Sequence, residues 1–161
     1  MVEPGVVEFE QPTRTSAEAA AAIGCTVAEI AKSVVFRGAS GRAVIVVASG
    51  AAKSVVFRGA SGRAVIVVAS GANRVSEKKV AGFVGEPLGR ADADFVREAT
   101  GYAIGGVAPI GHSAPVVIVL DEDLRLFPRI WAAAGTPFSV FPLTPEQLAR
   151  ITAAPWAEVR G

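Results

Sequence analysis

Histidine and cysteine each occur once in this chain of 161 residues, as His112 and Cys25. A lone cysteine cannot close an internal disulfide, and a thiol without a partner fits a reducing compartment. One residue of each type also excludes a His/Cys metal cluster. Long apolar runs are missing: none approaches the roughly 18 residues of a membrane span. The opening MVEPGVVEFEQP has acids and no basic stretch ahead of an apolar core, so it does not read as a signal peptide. The expected location is cytoplasmic, with no membrane partner. No G-x-S-x-G elbow and no Walker loop occurs. Excess charge is absent too: 16 basic against 15 acidic residues leave +1, which argues neither for nor against a polyanionic partner. No linker or low-complexity stretch divides the chain, so residues 1–161 are expected to form one domain. With 51% hydrophobic and 19% charged residues, such a domain can bury a core.

What the chain does have is a repeat without a single substitution. Residues 31–51 read AKSVVFRGASGRAVIVVASGA, and residues 52–72 read the same. Old repeats diverge, and solenoid repeats come in sets of three or more. Two identical copies therefore mark a recent, engineered or accidental duplication rather than an architecture. Each copy carries one Lys, two Arg and no acid. Without one copy, 140 residues (161 less 21) would carry −2, which is the net +1 less the copy's +3. Attraction to a nucleic acid must then come from a local patch.

Within a copy, KSVVFR and AVIVVAS read as two strands rich in Val and Ile around a GASG turn. Three threadings absorb the surplus. Strand one of the first copy can pair with strand two of the second, which lengthens a hairpin tip at little closure cost. The first copy can fold whole while the second loops out. Both keep Lys32 next to its upstream helix. Only the third threading, with the second copy folded whole, puts Lys53 there. Insertions are tolerated best at loop tips, which favours Lys32. The surplus VIVV run is an exposed-strand hazard if it stays unpaired.

Thr15 and Glu18 form a capping box ahead of AEAAAAIG, and Thr26 with Glu29 repeats that signature on a short helix, TVAEIA. Beyond the repeat, Ser76 caps a helix through EKKVAGFV. Val80, Phe83 and Val84 share one face of it, and Gly85 closes it. DADFVREAT is a further helix, ending at Gly101. Residues 116–120, VVIVL, have the length and composition of a strand covered on both faces. Pro128 suits the first turn of a helix through RIWAAA, stopped by Gly135. SVFPL reads as a last strand, and Thr144, Pro145 and Gln147 open a terminal helix, PEQLARIT. Helices alternating with strands after an early hairpin imply an α/β domain with a mixed sheet.

Two features could carry chemistry. Lys32 directly follows a short helix and starts an apolar strand. It is either a solvated lysine at a strand end or a fixed ammonium that binds a carbonyl or phosphate oxygen or polarises a water. The loop Gly101–His112 holds four glycines (101, 105, 106, 111) and Pro109. It is either a tight loop that needs positive φ or a place where backbone N–H groups are aimed at a ligand oxygen. His112 reads first as a structural hydrogen-bonding residue, with a role in proton transfer as the alternative. Asp121, Glu122 and Asp123 read as a solvated loop after a strand, short of the oxygen ligands a hard cation needs.

EIAKSVVFR followed by a strand resembles the lysine strand of the YbaK/prolyl-tRNA-synthetase-associated editing domains. GYAIGGVAPIGH resembles their glycine loop, with the G-x-x-x-P element at Gly105 to Pro109. VVIVLDEDL, RIWAAAG and a closing LTPEQL follow in the family's order, so the similarity spans about residues 10–155. The resemblance implies a mixed, curved sheet with surrounding helices. It implies hydrolysis of the ester joining a wrong amino acid to tRNA, often proline tRNA, by a free-standing protein acting in trans. It makes aminoacyl-tRNA the partner and calls for no cofactor and no metal.

Carried over by position, the resemblance makes Lys32 (or Lys53) the catalytic lysine. It assigns substrate binding to Gly101, Tyr102, Gly105, Gly106, Val107, Ala108, Pro109, Gly111 and His112, with Ala133 facing the amino acid. The branch that removes cysteine has a serine where this chain has Ala133. The run Ala132, Ala133, Ala134 therefore points to a pocket for alanine or another small residue. Two other readings remain: a binding module whose activity the insertion has impaired, and an engineered duplication of this fold.

Overall fold

The computed structural model describes residues 5–13, 15–39, 43–46 and 61–161. Its strands are β1 (Val7–Glu8), β2 (Ile30–Ala39), β3 (Ala43–Val46), β4 (Ser61–Ser70), β5 (Leu88–Arg90), β6 (Val116–Asp121), β7 (Ile130–Ala133), β8 (Ser139–Leu143) and β9 (Trp156–Ala157). The helices are α1 (Ser16–Ile23), α2 (Glu77–Val84), α3 (Ala93–Thr100) and α4 (Pro145–Thr152). The strands form one mixed sheet in the order β1-β8-β7-β2-β3-β4-β6-β9, with β5 added on β2.

β4 is the spine. Ala64, Ile66 and Val68 belong to one core cluster, Val65, Val67 and Ala69 to another, and each is 0–3% exposed. Alternation sends successive side chains to opposite faces. On one face they meet Val96 of α3, Leu148 of α4 and Val107. On the other they meet Val80 of α2 and Val159. β6 runs parallel to β4, from Ala64↔Val116 to Val68↔Leu120.

The repeat is shared between copies as the hairpin-tip threading expects. β2, from the first copy, pairs antiparallel with β4, from the second, through Ala31↔Ser70, Lys32↔Ala69, Ser33↔Val68 and Val34↔Val67. The first copy's own second strand is not left unpaired. As β3 it pairs with β2 at Val35 and Arg37, and it lies parallel to β4 with Ile45 beside Ile66 and Val46 beside Val67. Those partners are the same positions of the two copies. The strand expected from the second KSVVFR, with Lys53, lies outside the described residues. Of the GASG turns, Gly38 and Ala39 continue β2, Ser61 and Gly62 begin β4, and the rest lies outside the described residues.

Local signals give the helices. Thr15 and Glu18 close a capping box on α1 (2.9 Å each way), and Thr144 and Gln147 close one on α4. Ser76 and Asp92 cap α2 and α3, and Gly24, Gly85 and Gly101 end their helices with φ near +80°. Three expectations are corrected. RIWAAA is not a helix: Ile130–Ala133 is β7, between β2 and β8. Its burial alternates, with Ile130 and Ala132 buried, so pairing overrides the helix propensity of an alanine run. Phe83 does not join Val80 in the core but is half exposed. The helix expected over TVAEIA is a single 3-10 turn, Val27–Glu29, because Ile30 already pairs with Trp131.

Candidate functional site

β2 has two edges, and they are occupied differently. One carries β4 and β3. On the other, β7 pairs in parallel at Ile30↔Trp131 and Ala31↔Ala132 and then departs. β5 joins that edge only from Phe36↔Arg90 to Gly38↔Leu88. Among the described residues, no strand covers this edge at residues 32–35. The sheet therefore has a notch there, with Lys32 at its near end and Ala133, the next residue along β7, at its margin.

The glycine loop packs on the turn that follows β7. Beyond Ala133 the chain turns through residues 134–138, and Gly135 has φ +101°. Gly106 lies directly on that turn: a Cβ there would stand 2.6–2.8 Å from Thr136 Cα, C and N. A Cβ on Gly105 would touch Pro137 at 3.7 Å. Gly106, Val107, Ala108 and Pro109 are buried, and Val107 belongs to the main core cluster. Residues 105–109 are thus anchored through Val107 and pack on the turn that follows β7.

Tyr102 and His112 brace the loop from within. The Tyr102 hydroxyl donates to the Ile110 carbonyl at 2.8 Å, and its ring lies under Gly135 (3.3 Å to a Cβ there). Its hydroxyl fills the space a side chain on Gly111 would take. The two rings meet edge to face at 6.1 Å. Gly101, the cap of α3, sits at the loop's exposed start, where Ser113 N–H returns to the Thr100 carbonyl at 3.3 Å.

His112 Nε2 lies 2.8 Å from the Ala108 carbonyl. A carbonyl only accepts, so Nε2 carries the proton and donates. Burial holds this imidazole below its ordinary 6.5, with the Ala108 bond pulling weakly the other way. The ring is neutral at pH 7 and committed to the loop. Because the unfolded chain binds this proton more readily, stability should rise with pH as pH climbs from the depressed folded value to about 6.5. Acidification through that window should lower the Tm, and H112Q should flatten this dependence. Thermal melts at several pH values check it; an unchanged slope in H112Q would assign the effect to other groups.

Two features look chemical and are structural. Asp121 is 1% exposed rather than solvated, and it accepts from Ser70 N–H (2.9 Å), Asn73 Nδ2 (2.8 Å) and Asp123 N–H (3.1 Å). Nothing in the adjacent acids of the sequence separates this one from its exposed neighbour Glu122. Burial and then the Glu29 carboxylate push the Cys25 thiol up, which keeps it protonated and poorly nucleophilic. A concavity of about 870 Å³ lies at β1 and α1, lined by Glu8, Glu10 and Glu18, a poor seat for a polyanion. No helix among the described residues is long and apolar enough to cross a membrane.

A family model described as the aminoacyl-tRNA editing domain matches residues 10–52 and 50–151. The two segments overlap where the repeat copies join, and each contains one whole copy. The uncharacterized protein YwhH of Bacillus subtilis (strain 168) is 30% identical over 150 residues, 93% of this chain and 82% of that protein. A crystal structure described as a candidate trans-editing enzyme for prolyl tRNA synthetase shares 39% identity, with a TM-score of 0.80 over 98% of this chain and 87% of that one. The crystal structure of the hypothetical protein APE2540 shares 26% identity, with a TM-score of 0.79 over 99% and 92%.

Proposed function

The chain belongs to the aminoacyl-tRNA editing domain family, and from that membership we propose that it is a trans-acting deacylase that hydrolyses the ester of mischarged tRNA. One observation supports this above all: β7 pairs beside Lys32 on the lysine strand, and the glycine loop packs on the turn that follows β7. An aminoacyl ester is already activated, so positioning and oxyanion stabilisation suffice.

In this reading the acyl group enters the notch beside Ala133. Backbone groups of Gly105 to Pro109 orient it, and the Lys32 ammonium stabilises negative charge on the carbonyl oxygen. A water oxygen adds to the carbonyl carbon, directly or with help from the adjacent ribose hydroxyl. The tetrahedral adduct collapses as the bond to the ribose oxygen breaks. The water proton ends on that oxygen, which leaves free tRNA and the amino acid. Pocket size then chooses the residue, as in double-sieve editing.

The tRNA is that of proline, and the amino acid is alanine or another small residue. A panel of Ala-, Cys-, Ser- and Thr-charged proline tRNA tests this. Alanine should be removed fastest, and A133S should move the preference toward cysteine. Strong preference for cysteine in the native chain rejects the assignment. A 140-residue version lacking one repeat copy belongs in the same panel. If it is active and the full chain is not, the insertion has disabled the site.

A further inference from the structure

The two repeat copies are chemically identical, so nothing inside them decides which KSVVFR strand enters the sheet. The decision lies in flanking residues that differ. Ile30 precedes the first copy, and Ala51 stands in the same position before the second. Ile30 is 5% exposed, packs with Ala19 and Ala20 of α1, and pairs with Trp131 of β7. Registering the second copy there would put alanine in that packed place. Losing a buried isoleucine side chain shifts a two-state equilibrium by roughly thirtyfold or more.

The same end of the strand pair is gripped from β4 as well. Ser70 pairs with Ala31, donates its N–H to the buried Asp121 carboxylate and donates Oγ to the Ala28 carbonyl at 2.8 Å. Gly71 sits so close to the Val27 carbonyl that no Cβ fits. Val27 and Ala28 lie upstream of both copies, so the turn after β4 holds the 3-10 turn that launches β2. A strand from the second copy would require residues 31–51 to loop out of this held junction.

We propose that Ile30 is a positioning residue which, with Ser70 and Gly71 seated on Ala28 and Val27, locks the register, assigning the first copy's strand, and with it Lys32, to the notch. The deacylase reading gives the lysine its purpose; the register is testable without activity. In a C25S background, cysteine pairs are introduced as S33C with V68C, which are Cα partners, and as S54C with V68C, its repeat twin. Facing positions on antiparallel strands lie within disulfide reach.

The first pair should crosslink and the second should stay at background. Adding I30A should raise the yield of the second pair to within about tenfold of the first. A51I, which gives the second copy the same flanking residue as the first, should raise it too and covers the case in which I30A folds poorly. Equal yields in the native background overturn the proposal, as does background yield for the second pair in both variants while the first still closes. If the first pair closes and the native chain deacylates no aminoacyl-tRNA of the panel, the lock stands and the deacylase reading falls.

Discussion

Replacing Lys32 with alanine is expected to lower kcat/KM for the hydrolysed aminoacyl-tRNA by about 100- to 1,000-fold, the usual cost of losing one charge stabiliser. K53A should leave it within about twofold, because β2 carries Lys32. The two lysines have identical neighbours for 21 residues, so chain identity alone predicts no difference. The difference comes from the sheet. Lys32 pairs with Ala69 one step past the point where β7 leaves β2, and that step is where the notch begins. K32R should not rescue, because a planar guanidinium is larger and binds oxygen in a different geometry from a compact ammonium. Single-turnover deacylation separates the loss from product release. Equal losses in K32A and K53A, or none in either, would end the case for Lys32.

The elements legible in the sequence are those fixed by neighbours in the chain. Thr15 with Glu18, Ser76, Asp92 and Thr144 with Gln147 each satisfy N–H groups within three residues, so a local pattern suffices to read them. β7 was not legible, because what makes it a strand is Ala31 and Phe141 on either side of Ala132, far away along the chain. Four residues of alternation cannot outvote three alanines in a row. β1, β5 and β9 hide for the same reason, being two or three residues long and held only by partners.

The site divides likewise. The glycine loop announces itself locally, but its seat on residues 134–138 does not. Gly135 reads as a helix stop, whereas its positive φ carries the chain over the Tyr102 ring. The notch depends on where β7 ends and β5 begins along β2, and no local signal sets either.

Gly106→Ala should remove most of the activity. Gly106 has no positive φ, so the obstacle is space alone. The added Cβ would meet Thr136 Cα, C and N at 2.6, 2.7 and 2.8 Å, all backbone atoms that no rotamer change can move. Either the glycine loop or the turn after β7 must shift by several tenths of an ångström to about 1 Å, and in the proposed site both flank the acyl group. A displacement of that size costs on the order of a hundredfold in rate.

The control is Gly82→Ala in α2, where a Cβ has nothing within 4 Å. There the methyl group should stabilise by about 0.5–1 kcal/mol, by restricting the unfolded chain and suiting a helix. The same substitution is thus expected to raise the Tm at one glycine with activity unchanged, and to remove most activity at the other. Kinetics and melts on both variants decide it. If G106A keeps full activity, the contact between loop and turn does not shape the site.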